Sequence, residues 1–261
     1  MSIELKCCDN LKLMSTIKDN TIDLIYCDIL YGTGRKFKDY QDLKPKREVI
    51  EEHYIPRIKE MHRILKDTGS IYLQMDTRIN HWIRCIMDDI FGYDNFLNEI
   101  IWHYQAGTKS KKNIGKKHDI IIQYSKGDLF CFNDFRMKSA NPKNYNHIDN
   151  YGEKYLTNGQ GKRYYLSNGR ASDDVWSCYL EKELQLTSTN KERCDYDTQK
   201  PKALLERIIK ASSNEGDLVA DFYAGSHTTG EVALELGRHY IGCDINPKSL
   251  EIGNKRLQRF L

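Results

Sequence analysis

Two acids flanking a glycine-bracketed turn, and a third acid set beside a tyrosine, are the residues of this chain best placed to do chemistry. In Val219-Ala-Asp-Phe-Tyr-Ala-Gly-Ser-His-Thr-Thr-Gly230, Asp221 ends a short apolar run, and Gly225 and Gly230 bracket a turn rich in hydroxyls. A second apolar run, from His239, ends on Asp244. Glycines at such a turn let backbone N–H groups approach a ligand, and an acid after the next strand accepts hydrogen bonds from ribose hydroxyls. The layout is that of a nucleoside-cofactor site. A dinucleotide fingerprint would want glycine where His227 stands, and a plain tight strand-to-helix connection is the competing reading. The other cluster is Asp28-Ile-Leu-Tyr-Gly-Thr-Gly34, delivered by the apolar run Ile22 to Cys27. An acid and an aromatic three residues apart, at the carboxyl end of a strand, lie where α/β proteins bind ligands. A capping Asp and a core Tyr would give the same pattern.

Apolar runs and helical spacing supply the scaffold. Strands are expected at Ile3 to Cys7, Ile22 to Cys27, Ser70 to Met75, Asn98 to Tyr104, Asp119 to Tyr124, Leu218 to Phe222 and His239 to Asp244. Helices are expected from Leu11 to Ile17, from Lys46 to Lys66 with a kink at Pro56, and from His81 to Phe91 with Gly92 as a stop. Another begins at Pro201 and buries Leu204, Leu205, Ile208 and Ile209, and the last runs from Glu231 to Leu236, stopped by Gly237. Strands alternating with helices imply an α/β fold. The 261 residues suffice for a sizeable core, 30% of them are charged, and the net charge of +3 is only mildly basic. Any nucleic-acid surface must therefore be local. The eight Cys include no C-x-x-C pair, which reads as reduced thiols in a cytoplasmic protein without a metal site. No signal peptide and no apolar run of membrane-spanning length is present.

Taken together, these motifs resemble the β class of DNA amino-methyltransferases. Asp28-Ile-Leu-Tyr31 resembles their Asp-Pro-Pro-Tyr motif, Asp221 to Thr229 resembles their S-adenosylmethionine loop, and Thr198-Gln-Lys-Pro201 resembles the segment before it. The catalytic motif precedes the cofactor motif, the permuted order of that class. Asp67 to Leu73, Asn98 to Trp102 and His118 to Ile122 also resemble the family. Three departures stand out. Ile29 and Leu30 replace the two prolines of the catalytic loop, Phe222 replaces the proline of the cofactor loop, and His227 replaces its middle glycine. The first two bear on loop rigidity. The third either crowds the cofactor or projects outward from an ordinary backbone conformation.

The resemblance implies a Rossmann-like methyltransferase fold with a mainly parallel sheet, seven strands in the family version, circularly permuted motif order and a small target-recognition insertion. The expected parts are a catalytic part at 1–132, the insertion at 133–197 and a cofactor-binding part at 198–261. S-adenosylmethionine is expected on Asp9, Asp28, Lys200, Asp221, Phe222, Tyr223, Ala224, Gly225, Ser226, Thr228 and Asp244, with Lys200 facing the cofactor carboxylate; a solvated Lys200 is the alternative. The exocyclic amine of a flipped adenine would donate to the Asp28 carboxylate and the Ile29 carbonyl while Tyr31 stacks on the base. Neither a metal nor a covalent enzyme intermediate is required. Asp at the head of the motif favours adenine N6. Cytosine N4, and a DNA-binding partner that no longer methylates, remain as alternatives.

Between two of the expected strands lies a run holding Lys109, Lys111, Lys112, Lys116 and Lys117 and no acid. Beside a base-modifying site it reads as a phosphate grip, and otherwise as a solvated loop. Ala140 to Arg170 carries six Asn and five Tyr among Lys and Arg, groups suited to base edges and stacking; an irregular insertion without a ligand is the alternative. The partners implied are double-stranded DNA, a cognate restriction endonuclease and, by analogy, a second copy of the chain, all in the cytoplasm of a bacterium or archaeon.

Overall fold

The apolar runs become strands of one sheet in the computed structural model, which describes residues 1–36, 41–105, 112, 114–187, 189–196 and 198–261. The first half supplies β1 (Ile3–Cys7), α1 (Asn10–Met14), β2 (Ile22–Asp28), α2 (Arg47–Ile64), β3 (Leu65–Met75), α3 (Asn80–Phe91), β4 (Phe96–His103) and β5 (His118–Ser125). Short strands follow: β6 (Arg136–Met137), β7 (His147–Ile148), β8 (Lys154–Thr157), β9 (Arg163–Tyr165), β10 (Arg170–Ala171) and β11 (Val175–Ser177). The chain ends with α4 (Lys202–Ser212), β12 (Leu218–Asp221), α5 (Thr228–Glu235), β13 (His239–Asp244) and α6 (Pro247–Leu257).

The main sheet runs β1-β13-β12-β2-β3-β5-β4-β11. Its first five strands are mutually parallel, β5 is antiparallel to β3 and β4, and β11 is parallel to β4. Among the described residues the sheet has eight strands, where seven were expected. At its edge lies β11, whose Trp176 is buried and donates through its indole N–H to the Asp173 carbonyl at 2.7 Å.

Helices cover both faces, which is why the parallel strands read as continuous apolar runs rather than alternating ones. Within β2, Ile25 and Cys27 pack in the layer that holds Ile58 of α2 and Ile83 of α3. Leu24 and Tyr26 point the other way, into the layer that holds Leu204 and Ile208 of α4 and Val232 of α5. Side chains alternating across a strand thus divide one run between two cores.

Some element ends move from their expected places. α2 passes through Pro56 as one helix, although proline removes one of its hydrogen bonds. β3 starts at Leu65, which also caps α2 and pairs with Ile22, so the strand begins before Ser70. Pro201 caps α4 from outside instead of starting it. α5 begins at Thr228, before Glu231, because the chain turns sharply at His227.

Parallel strands deliver their last residues to one edge. Asp9, Asp244, Asp221, Asp28 and Asp76 lie at or just beyond the carboxyl ends of β1, β13, β12, β2 and β3. β5 runs the opposite way, so its first residues, His118 and Asp119, arrive at that same edge.

Candidate active site

A cavity of about 490 Å3 opens at this edge, and every residue given a cofactor or catalytic role above lines it: Asp9, Asp28, Ile29, Tyr31, Lys200, Asp221 to Ser226, Thr228 and Asp244. The glycine turn is pinned by the acids of two strands. Asp221 accepts from the Thr229 hydroxyl at 2.6 Å and from the Tyr223 N–H at 3.1 Å. Asp244 accepts from the Gly225 N–H at 2.9 Å and the Asn246 N–H at 2.9 Å. Burial pushes the Asp221 carboxyl up to about 7 and also raises Asp244.

Asp9 is more occupied than expected. It caps α1 by accepting from the Leu11 N–H at 2.9 Å, and it pairs with Arg57 at 2.7 Å. It lines the cavity while anchoring both the helix and Arg57. Sequence reasoning missed Arg57, His53 and Asn10, all on this wall. Asn10 donates to the Phe222 carbonyl at 3.2 Å, and His53 Nε2 lies 3.1 Å from the Tyr223 hydroxyl. Burial, helped by the Arg57 charge, lowers His53 to about 4.

His227 takes neither of the two courses expected of it. Its backbone is left-handed, with φ 54°, and its side chain is 1% exposed, turned inward and away from the cavity. Nδ1 sits 3.1 Å from the Tyr240 hydroxyl, and the ring packs on Gly253 of α6, where a Cβ would come within 2.5 Å of His227 Cδ2. The missing side chain at Gly253 makes room for the imidazole. His tolerates the left-handed region better than branched residues do, so the turn keeps the backbone that glycine would give it.

The loop from Asp28 to Gly34 is held by hydrogen bonds where the resemblance led one to expect prolines. The Ile29 N–H donates to the Gln74 carbonyl at 3.0 Å, the Tyr54 hydroxyl donates to the Leu30 carbonyl at 2.9 Å, and the Gly32 and Thr33 N–H groups donate to Asp42 at 3.1 and 2.6 Å. Ile29 is buried, whereas Leu30 is partly exposed. At the head of the loop, Asp28 Oδ2 pairs with the Lys200 ammonium and Oδ1 lies 2.9 Å from the Tyr31 hydroxyl. Lys200, expected on a cofactor carboxylate, is thus paired with Asp28, and its ammonium lies 5.6 Å from the Tyr31 ring centre. Burial raises Asp28 above the usual carboxylate range, while Lys200 pulls it down and Asp119 adds to the rise.

Asp119 was missed as a site residue. Its signal was an acid opening the strand His118-Asp-Ile-Ile-Ile122. It is 3% exposed and accepts from Tyr31 at 2.6 Å, Tyr104 at 2.8 Å and Gln74 at 3.1 Å. Asp119, Tyr31, Trp102, Tyr104 and Lys200 line a second cavity of about 260 Å3, which shares Tyr31, Thr198 and Lys200 with the first.

Of the lysines expected to grip phosphates, Lys109 and Lys111 lie outside the described residues. Lys112 and Lys116 are exposed, and Lys117 is half-buried and donates to the Gln105 carbonyl at 3.2 Å. In the sheet formed by β7, β8 and β9, several aromatic rings pack on one another. His147 stacks on Tyr155 at 5.3 Å, Tyr165 lies 5.6 Å from Tyr155, and Arg163 sits 4.7 Å over Tyr155. Tyr151 and Tyr164 are exposed.

Known proteins match this chain in sequence and in fold. Residues 22–255 match the N6/N4 DNA methylase family. The chain belongs to that family.

Two relatives of this DNA methylase are the Type II methyltransferase M2.DpnII of Streptococcus pneumoniae, 45% identical over 96% of this chain and 87% of the relative, and the DNA adenine methyltransferase YhdJ of Escherichia coli, 31% identical over 95% and 80%. In fold it is similar to the cytosine-N4-specific PvuII DNA methyltransferase (TM-score 0.70, 16% identity, 98% of this chain and 86% of that one). It is likewise similar to TTHA0409, a DNA modification methylase of Thermus thermophilus complexed with S-adenosyl-L-methionine (TM-score 0.60, 17% identity, 100% and 96%). The DNA methylase therefore has the Rossmann-like methyltransferase fold and uses S-adenosylmethionine. The larger cavity suits that molecule in volume, within the ~300–1,000 Å3 usual for ligand sites. It also suits it in chemistry. Asp244 and Asp28 bring carboxylates to the wall, and Arg57 and Lys200 bring cations to it. Arg57 Nε is buried without a hydrogen-bond partner among the described residues. Among those residues no helix is long and apolar enough to cross a membrane.

Proposed function

We propose that this DNA methylase transfers a methyl group to the N6 amine of adenine in double-stranded DNA. The observation that carries the reading is Asp28 on the wall of the larger cavity, with Ile29 beside it and in contact with Tyr31 and Lys200, which line both cavities. An exocyclic amine is a poor nucleophile because its lone pair is delocalised into the ring. Asp28 and the Ile29 carbonyl would accept its two hydrogens, favouring a pyramidal nitrogen. The Tyr31 ring would hold the flipped base, whose removal from the duplex the half-buried position of Asp28 on the cavity wall requires. Bound S-adenosylmethionine supplies the methyl group. Asp244 would accept from the ribose, and the turn from Asp221 to Ser226, with Thr228, would place backbone and hydroxyl donors around it. Phe222, Tyr223 and Ala224 would form the apolar part of that wall. Most of the rate then comes from orientation and fixed charges.

An Asp at position 28 and the likeness to an adenine methyltransferase support N6 over cytosine N4. The likeness to the PvuII enzyme is one of fold and carries no base preference. The interval 133–197, with its exposed Tyr151 and Tyr164, is the part that would read the target sequence, and Lys112 and Lys116 would meet phosphates. A cognate endonuclease, a second copy of the chain and a bacterial cytoplasmic setting belong to the same reading. Long-read detection of modified bases in genomic DNA exposed to the protein tests it. N6-methyladenine at one recurring sequence is expected, and N4-methylcytosine overturns the base assignment.

A further inference from the structure

One phenol stands between two carboxylates. The Tyr31 hydroxyl oxygen lies 2.6 Å from Asp119 Oδ2 and 2.9 Å from Asp28 Oδ1. A hydroxyl has one proton to donate, so it serves one of these oxygens at a time. Asp119 is built to hold it. The Tyr104 hydroxyl donates to its other oxygen at 2.8 Å, and the Gln74 amide donates at 3.1 Å. That amide is itself oriented, because the buried Tyr26 donates to Gln74 Oε1 at 2.7 Å. Three donors thus meet on this one buried carboxylate. With the Tyr31 proton on Asp119, a lone pair of the Tyr31 oxygen faces Asp28 Oδ1. That contact lacks a hydrogen as long as Asp28 is ionised.

We infer that Asp119 is a positioning residue for methyl transfer, turning the Tyr31 hydroxyl so that its oxygen awaits a proton on Asp28. The inference rests on the methyl-transfer reading above. The nitrogen lone pair forms the N–CH3 bond while the S–CH3 bond breaks and its electron pair stays on sulfur. The nitrogen then carries the positive charge and must lose a proton. The N–H bond breaks, its proton goes to Asp28 Oδ1, and the new carboxyl O–H donates to the Tyr31 oxygen. Charge supports this balance. Before transfer, Asp28 and Asp119 are offset by Lys200 and the sulfonium. Afterwards the same neutrality holds, with the proton on Asp28 replacing the sulfonium charge.

The charged and titratable groups facing Asp28 are Lys200 from the loop before α4, Tyr31 on its own loop, Asp119 from β5, Tyr104 beyond β4, Tyr26 within β2 and Asp221 from β12. Asp119 raises the affinity of Asp28 for a proton through its charge, the direction that a proton acceptor requires.

The test is a double-mutant cycle on kcat with DNA carrying an unpaired target, using wild type, Asp119→Asn, Tyr31→Phe and the double variant. Asp119→Asn keeps shape and removes the charge. It should lower kcat on the order of tenfold or more, a fraction of what a general base contributes, with cofactor Kd by calorimetry unchanged. The acid limb of its kcat profile should move to lower pH, since Asp28 then holds a proton less firmly. In the Tyr31→Phe background the same change should alter the high-pH kcat by no more than about twofold, because the hydroxyl through which Asp119 acts is gone. An equal fall in both backgrounds overturns the inference. So does an Asp119→Asn variant with unchanged kcat, or one that weakens cofactor binding as much as it slows transfer. A wild-type protein that transfers no methyl group refutes the function itself, an outcome separate from these.

Discussion

Restoring the family's first loop proline, Ile29→Pro, should destabilise this protein. The Ile29 N–H continues the ladder between β2 and β3 by donating to the Gln74 carbonyl at 3.0 Å, and Gln74 is 0% exposed. Proline has no N–H, and the stranded buried acceptor costs about 1–3 kcal/mol. Ile29 is 2% exposed, and proline has one side-chain carbon fewer, a further loss of about 0.8 kcal/mol. The stiffer unfolded chain offsets about 0.4–1 kcal/mol of this. The net effect is a loss of about 1–3 kcal/mol, or ~2–4 °C in Tm for each kcal/mol in a chain of this size. Urea unfolding measures it as a lower midpoint with an unchanged slope. A variant as stable as wild type, or more so, would show that the hydrogen bonds described here are not what holds the loop.

Three other outcomes are expected. Asp244→Ala should weaken S-adenosylmethionine binding by ~1–3 kcal/mol, since it removes a hydroxyl acceptor and releases the Gly225 N–H; unchanged affinity by calorimetry removes Asp244 from the cofactor site. Replacing Lys112 and Lys116 with Ala should weaken binding to cognate and non-cognate DNA alike and flatten the salt dependence, and unchanged slopes would make that loop merely solvated. His227 is held neutral by burial, lowered from 6.5 to about 4, so the folded state binds its proton less readily than the unfolded chain. Its contribution is complete above pH 6.5 and disappears as pH falls through 4, an effect of at most about 3 kcal/mol. The stability difference between wild type and His227→Asn should therefore shift against wild type over that window; a difference independent of pH refutes it.

The local parts of the site were legible in the sequence and the crossing parts were not. Buried parallel strands appear as apolar runs, so the ends of β2, β12 and β13, and with them Asp28, Asp221 and Asp244, could be found from pattern alone. Asp119 reaches Asp28 only through register. Asp28 pairs with Gln74, Gln74 with Ile121, and β5 runs antiparallel, so its first acid arrives beside the last acid of β2. No spacing along the chain encodes that. His227 could not be placed because its direction depends on the gap at Gly253 in another helix. The pairing of Lys200 with Asp28 joins residues far apart in the chain, as does the capture of Arg57 by Asp9. The edge strand β11 escaped because three residues ending in Trp and Ser are too short for a period to show.

Transfer of labelled methyl from S-adenosylmethionine to duplex DNA, followed by nucleoside analysis, tests the central claim most directly when wild type and Asp28→Ala are run side by side with cofactor binding measured on both. The account predicts label in N6-methyladenine from wild type and none from Asp28→Ala, whose cofactor affinity stays close to that of wild type because Asp28 acts on the target amine. Label in N4-methylcytosine, or transfer that survives in Asp28→Ala, would contradict it, as would a wild-type protein that binds the cofactor and methylates nothing.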